Sequence, residues 1–138
     1  MNAKKWMTPD PTTLTEEDLV KTAVTHVLRS RIRHIPIVRN GKLVGIVTDR
    51  DLKRALPSVV AGSSPEEYQT FMDSTKLRDV MTANPVTCTP DTDLLDVVRQ
   101  FIDNKFGAMP VIDGDAVVGI ITQTDAMRAF LDQLENAG

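Results

Sequence analysis

The chain is written twice. Residues 7–56 align with residues 81–130 at a constant offset of 74 positions, without a gap, and 14 of the 50 aligned pairs are identical. Ile35-Pro36-Ile37-Val38 returns as Met109-Pro110-Val111-Ile112. Likewise Val44-Gly45-Ile46-Val47-Thr48-Asp49-Arg50-Asp51 returns as Val118-Gly119-Ile120-Ile121-Thr122-Gln123-Thr124-Asp125. A repeat constrains the fold before any propensity does, because each unit must satisfy the same packing problem with the same pattern. Each copy runs to about fifty-five residues, near the size at which a lone core is marginal. The expectation is one compact unit in which the copies bury apolar faces against each other. Any pocket built by one copy should have a twin in the other.

Both copies show the order strand, helix, strand, tight turn, strand, helix, an α/β pattern. In the first, Thr15 followed by Glu16-Glu17-Asp18 predicts a helix start with carboxylates at the positive end of the dipole. Leu19, Val20, Ala23, Val24, Val27 and Leu28 then form one helical stripe. Leu94, Leu95, Val97, Val98, Phe101 and Ile102 repeat it, and both stripes are expected in the core. Arg39-Asn40-Gly41-Lys42 marks a hairpin through Asn-Gly, and Asp113-Gly114-Asp115-Ala116 suits a type II′ turn. The runs Leu43–Thr48 and Val117–Thr122 are nearly continuously apolar, as in strands covered on both faces. Between the copies, Gly62-Ser63-Ser64-Pro65 leads into a helix carrying Tyr68, Phe71 and Met72 on one face. That segment is expected to cover exposed core, with a lid or a subunit contact as the alternatives.

The net charge of −3 hides an asymmetry. Residues 1–56 carry eleven Lys/Arg against six Asp/Glu, and the remainder five against thirteen. Such a split fits an anionic ligand that prefers one of two equivalent sites, or a surface dipole without a ligand. Aromatics at 4% are too few for base-stacking platforms, which argues against nucleic acid. The single cysteine, Cys88, excludes an intramolecular disulfide and has no companions for a zinc site. It is expected as a small core residue. No apolar run reaches membrane-spanning length and no signal-peptide core is present, so a cytoplasmic location is expected.

The chemistry sits after the third strand of each copy, in Gly-apolar-apolar-Thr-x-x-Asp. Glycine permits close backbone approach, threonine ends the strand, and the N–H groups of the following helix can hold an anion. An aspartate one turn in can accept two hydrogen bonds from vicinal hydroxyls such as a ribose offers. The same Thr-x-x-Asp spacing is also a capping-box arrangement that only satisfies a helix end. The two readings stay open on spacing alone. No nucleophile–base pair, metal-ligand cluster or phosphate-binding glycine loop accompanies the motif, so catalysis is not expected.

Three paired features carry a resemblance: Met-Thr-x-x-Pro-x-Thr at Met7 to Thr13 and Met81 to Thr87, apolar-Pro-apolar before each hairpin, and Gly-apolar-apolar-Thr-x-x-Asp after it. Together they resemble the CBS domain, and the pair resembles a Bateman module of two β-α-β-β-α motifs related by a pseudo-two-fold axis. The resemblance runs from about Ala3 to Leu131, with motif 1 over 3–56, an inter-repeat loop and helix over 57–76, and motif 2 over 77–132. The inter-repeat segment is similar to that of stand-alone proteins of the acetoin-utilisation type. The resemblance implies a regulatory or sensor module that binds AMP, ADP, ATP or S-adenosylmethionine in clefts between the motifs. Magnesium would accompany a polyphosphate.

By position, the resemblance implies that Asp51 and Asp125 hold ribose hydroxyls and that Thr48 and Thr122 contact ribose or phosphate. Thr12-Thr13 and Val86-Thr87 would line the adenine with backbone groups, walled by Ile35-Pro36 and Met109-Pro110. The first site gathers Arg33, His34 and Arg50 and should favour phosphates. The second offers Gly107, Ala108 and Thr124 there, and should take an uncharged or singly charged adenosine compound, or nothing. The resemblance also implies a homodimer acting on a partner protein that the sequence does not name. The alternative is a ligand-free interaction module in which the Thr-x-x-Asp motifs serve as caps.

Overall fold

The computed structural model describes residues 1–57 and 62–137, so part of the 57–76 inter-repeat segment lies outside the described residues. In chain order the elements are α1 (Ala3–Trp6), β1 (Thr8–Pro9), β2 (Leu14–Thr15), α2 (Val20–Ser30), β3 (His34–Arg39), β4 (Lys42–Thr48) and α3 (Asp49–Ala55). They continue with α4 (Pro65–Ser74), a 3-10 turn at Leu77–Asp79, β5 (Thr82–Ala83), α5 (Leu94–Asn104), β6 (Ala108–Asp113), β7 (Ala116–Thr122) and α6 (Gln123–Asn136). This is the mixed α/β architecture expected, with β2-α2-β3-β4-α3 recurring through α5-β6-β7-α6. The residues divide into two units, Thr12–Asn84, and Met1–Pro11 together with Pro85–Gly138.

In the Thr12–Asn84 unit the sheet order is β2-β3-β4-β5, with β2 parallel to β3 and the other pairs antiparallel. Its core is Val20, Ala23, Ile35, Ile37, Val47, Leu52 and Leu77. Phe71 and Met72 of α4 pack against that core, the covering role expected of this helix. Ser64 caps α4, its hydroxyl accepting the Glu67 N–H at 3.1 Å, with proline in the first turn.

In the other unit the order is β1-β7-β6, with β1 antiparallel to β7. Ala3, Cys88, Leu94, Val97, Phe101, Met109, Val111, Ile121 and Ala129 form its core. The first eleven residues thus belong with the second copy, and residues 77–84 belong with the first. The exchange keeps the repeat: Ala3 and Leu77 stand 74 residues apart and are both 0% exposed. It also dilutes the charge asymmetry, since Thr12–Asn84 holds eleven Lys/Arg against nine Asp/Glu and the other unit five against ten.

Two expectations about the helices need correction. Thr15 does not start a helix, because it lies in β2 and α2 begins at Val20. Asp18 is spent on a turn instead: its Oδ2 accepts the Thr15 N–H at 2.8 Å while its own N–H donates to Thr15 O at 3.1 Å. The start of α2 is supplied from far along the chain, Val20 N–H donating to Thr75 O at 2.8 Å. In the second copy Leu94 N–H donates to Met1 O at 3.0 Å, the same bond shifted by the repeat. At α2 this tertiary acceptor stands where no side-chain cap is made, whereas α5 also has one, Asp93 Oδ1 accepting the Leu95 N–H at 3.0 Å. The apolar stripes are also wider than the core they face. Val20, Ala23, Leu94, Val97 and Phe101 are buried, but Leu28, Leu95 and Ile102 are 75%, 56% and 70% exposed.

Both hairpins form as read. Asn40 and Gly41 have φ of 51° and 79°, as type I′ requires, while Gly114 alone is positive in its turn, at 62°. Gly45, Ile46 and Val47 are buried in succession, as are Gly119, Ile120 and Ile121, so these strand ends are covered on both faces.

The largest feature without a sequence signal is an ion pair. Arg39 at the end of β3 grips Glu16 through one guanidinium edge, Nη2 donating to Oε2 at 2.9 Å and Nε to Oε1. That bidentate contact holds the Glu16 carboxyl below its ordinary 4.5, against the opposing effect of burial. A depressed carboxyl pKa adds stability that is full above pH 4.5 and is lost as the pH falls through the folded-state value. Urea titrations at pH 7 and pH 3 should therefore show a larger acid-side loss in wild type than in Glu16→Gln protein, where only the lowered Glu17 and Asp73 carboxyls remain to contribute. Equal slopes in both proteins would remove the pair from the account.

Candidate functional site

Each unit contains one full set of the candidate residues. In the Thr12–Asn84 unit β4 runs straight into α3. Thr48 Oγ1 accepts the Asp51 N–H at 3.1 Å, and Asp51 Oδ2 accepts the Thr48 N–H at 3.0 Å. Thr122 and Asp125 repeat the pair between β7 and α6 at 3.1 and 2.9 Å. Both are complete capping boxes, so the capping reading of Thr-x-x-Asp is realised. The box uses only Oδ2 of the carboxylate, and the threonine oxygen acts in it only as acceptor. The remaining Asp51 oxygen and the Thr48 hydroxyl proton are the groups a ligand would meet. Beside each box the strand opening is tied down: Arg33 O accepts the Asp49 N–H, and Gly107 O the Gln123 N–H, both at 3.0 Å.

Sheet register assembles the rest. His34 pairs with Thr48, Ile35 with Val47 and Pro36 with Ile46. Parallel pairing of Leu14 with Ile37 brings Thr12 and Thr13, which precede β2, to the end of β3 that opens with His34. In the other unit Ala108 pairs with Thr122, Met109 with Ile121 and Pro110 with Ile120. Cys88 N–H donates to Pro110 O at 3.1 Å, holding Val86 and Thr87 against β6. Val86 is 43% exposed, whereas Ile35 and Met109 are 0% and 1% exposed in their cores. Ile35-Pro36 and Met109-Pro110 are therefore positioned to contribute backbone more than side chain.

The two sites differ in electrostatics. Arg33 and Arg50 are exposed beside His34 and Asp51. Burial pulls the His34 pKa below 6.5, with Arg33 and Arg50 lowering it further and Asp49 and Asp51 opposing. His34 is thus neutral at neutral pH, and the fixed positive charge of this site is Arg33 and Arg50. In the second site Asp125 is 4% exposed and its Oδ1 lies 3.3 Å from Arg128 Nη1. Asp125 is occupied on both oxygens, and exposed Thr124 replaces the Arg50 cation. The i,i+3 spacing of Asp125 and Arg128 was visible in the sequence. Its consequence was not, because Asp51 and Arg54 share that spacing without pairing among the described residues.

The Cys88 thiol is buried and pushed up to about 11, which keeps it protonated and unreactive. Among the described residues no group of three or more His, Cys, Asp or Glu is arranged to hold a metal, and no helix is long and apolar enough to cross a membrane. A shallow depression lined by Met1, Asn2, Lys5, Asp91 and Asp93 contains none of the candidate residues.

Comparison with known proteins agrees with this architecture. The family model of the CBS domain matches twice, at residues 3–58 and 77–132. A Vibrio cholerae protein assigned to acetoin utilization (AcuB) is 32% identical, with a TM-score of 0.78 over 98% of this chain and 93% of that one. The CBSX2 protein of Arabidopsis thaliana, solved in complex with AMP, is 27% identical, with a TM-score of 0.80 over 95% and 97% of the two chains. The CBS domain pair of protein MJ0100, solved with 5′-methylthioadenosine and S-adenosyl-L-methionine, is also 27% identical, with a TM-score of 0.79 over 96% and 98%. The chain spans about half the length of several curated relatives, 45% of one and 56% of another. Two matched copies, two capped strand–helix junctions and these neighbours place the chain in the CBS-domain family, as a pair of CBS domains.

Proposed function

We propose that this chain is a regulatory module that senses an adenosine-derived ligand, binding it at the Thr-x-x-Asp junctions. The observation that carries the reading is the paired junction itself, with Asp51 keeping a carboxylate oxygen outside its capping box. Solved neighbours that bind AMP, or S-adenosylmethionine and methylthioadenosine, support the ligand class. In this reading Asp51 and Asp125 meet ribose hydroxyls, and Thr48 and Thr122 meet ribose or phosphate. Thr12, Thr13, Val86 and Thr87 line the base, with Ile35-Pro36 and Met109-Pro110 behind it. Arg33 and Arg50, with neutral His34, give the first site its preference for AMP, ADP or ATP. The second site, with Thr124 and an Asp125 engaged by Arg128, takes a less anionic compound such as S-adenosylmethionine. The module acts without turnover, as a cytoplasmic homodimer whose ligand-dependent state biases a partner protein.

The test is a thermal-shift titration with AMP, ADP, ATP, S-adenosylmethionine and GTP. A ligand at a hundred times its dissociation constant adds about 2.7 kcal/mol. Asp51→Ala removes one half of the capping box, the bond from the Thr48 N–H, and costs about 1 kcal/mol with or without ligand. Asp51→Asn can keep the cap oxygen while losing the charge. The expected result is that an adenine nucleotide stabilises wild type and that both variants lose most of that gain. Ligand-independent destabilisation alone would favour the other reading, a ligand-free interaction module whose boxes only cap helices.

A further inference from the structure

His34 is the one side chain at the Thr48 junction whose ordinary titration range lies near neutral pH. It opens β3 and stands opposite Thr48 of β4, so the two side chains share a face of the sheet. It is partly buried, and among the described residues its imidazole has no hydrogen-bond partner.

Four charged groups act on this imidazole among the described residues. Arg33 comes from the loop before β3, and Asp49, Arg50 and Asp51 from the first turn of α3. At this end of the sheet β4 brings uncharged Thr48, and the segment leading into β2 brings uncharged Thr12 and Thr13. Two arginines against two aspartates leave the surroundings balanced, so burial decides and holds the ring neutral, below its ordinary 6.5. The other unit has no group of this kind. The repeat places Ala108, 7% exposed, at the position of His34, with Gly107 and Thr124 at those of Arg33 and Arg50.

We propose that His34 takes up a proton when a phosphate-bearing nucleotide enters the first site, so that this site binds its ligand more tightly as the pH falls. The inference rests on the nucleotide reading and adds the proton to it. A phosphate arriving beside Arg33 and Arg50 tips the balanced charge around the imidazole to negative. Nearby negative charge favours the imidazolium, which donates from both ring nitrogens where the neutral ring donates from one. A group whose pKa is higher in the complex than in the free protein strengthens binding at acid pH, and the gain is lost as the pH rises through the value in the complex. Each unit of rise is worth about tenfold in affinity at the acid limit. An adenosine compound without phosphate brings no such charge and leaves His34 neutral.

NMR of the histidine side chains in the full chain, from pH 5 to pH 8.5, reads the proton directly. The chain has two histidines, so His26→Gln protein shows the His34 signal alone. The probe is whichever of AMP, ADP and ATP gives the largest thermal shift, at saturation, with adenosine as the control without phosphate. The midpoint is expected below 6.5 in the free protein and with adenosine, and about one unit higher with the nucleotide. In parallel, the affinity of wild type relative to His34→Gln protein should rise roughly fivefold from pH 8 to pH 5.5. Taking that ratio cancels the titration of the ligand's own phosphate. A nucleotide that stabilises the protein without moving the His34 midpoint overturns the proton coupling and leaves the nucleotide reading standing. An equal movement with adenosine, or an affinity ratio that is flat with pH, overturns the coupling in the same way. Absence of stabilisation by every adenine nucleotide at every pH overturns both.

Discussion

Deleting residues 1–11 is expected to unfold the half of the chain that lies farthest from them in sequence. The lost segment carries Ala3, fully buried in the core of the second copy, and Trp6 and Met7, which pack against it. It also carries the β1 pairing with β7 and the backbone bonds Ala3 N–Thr92 O and Lys4 N–Pro90 O, both 2.9 Å. Removing a large apolar side chain from a core costs about 4 kcal/mol, and here two, Trp6 and Met7, are lost together with Ala3 and their strand. Domain stabilities are of similar size, so the Pro85–Gly138 unit should lose cooperative folding. The Thr12–Asn84 unit has its own β5 and Leu77 in the corresponding places and should survive. Hydrogen exchange reads this directly: β6, β7 and α5 should lose protection while the β3–β4 hairpin keeps it. Loss of protection in β3–β4 first would sink the assignment of residues 1–11 to the second unit. Trp6 is the one tryptophan of the chain, so its fluorescence follows the same unit in the intact protein.

Gly45→Val should be nearly as damaging to the other unit. A Cβ at Gly45 would lie 2.6 Å from Met81 Sδ and 3.0 Å from the Thr82 carbonyl oxygen. The methionine can swing aside, but the carbonyl belongs to β5, which pairs at this residue, Gly45 with Ala83. Adding the two further methyls of valine therefore pushes β5 off the sheet edge, at a cost of about 3 kcal/mol. Urea denaturation of Gly45→Val, Met81→Ala and the double variant separates the two obstacles. If the methionine is part of the clash, the double variant is more stable than the sum of the single effects predicts. Strict additivity would mean that Met81 is no obstacle. Gly119 faces Met7 and the Thr8 carbonyl in the same way, so the repeat supplies an internal control.

These contacts also explain what the Gly-apolar-apolar-Thr-x-x-Asp motif encodes. Its glycine permits the close backbone approach read in the sequence, and what approaches Gly45 and Gly119 is the Met-Thr strand, through its methionine and the following threonine carbonyl. Its threonine and aspartate form the cap that spacing allows, and the proposed ligand role attaches to the groups the cap leaves over. The earlier Thr15-x-x-Asp18 has the same spacing and forms a turn. What separates the two is that a buried strand leads directly into a helix at Thr48, whereas Thr15 closes a two-residue strand pinned by its parallel partner. Spacing names the possible hydrogen bonds, and the neighbouring backbone chooses among them.

The candidate site was legible in unusual detail because its parts are local and repeated. The hairpins follow from Asn-Gly and a lone glycine, and they put His34 opposite Thr48 and Ala108 opposite Thr122. The difference between the sites was legible only in part. Arg50 against Thr124 is written in the chain, but the neutral state of His34 and the arginine on Asp125 depend on burial and rotamer. The exposed sides of the apolar stripes were not legible either. Periodicity marks a face that avoids water without saying whether its own core or another molecule covers it.

The sequence by itself determined the number of copies, the order of elements in each, both hairpin turns and the strand–helix junctions of the candidate site. All of these arise from contacts between residues close in the chain, where periodicity and turn chemistry act directly. Only the tertiary structure decided that residues 1–11 complete the second copy and 77–84 the first, that α2 and α5 start on carbonyls from distant segments, and that Arg39 holds Glu16. Those choices rest on pairing between segments far apart in sequence. Two copies with nearly the same pattern offer each Met-Thr strand two equivalent glycine strands, and the choice between them is made by packing and chain connectivity, not by local pattern.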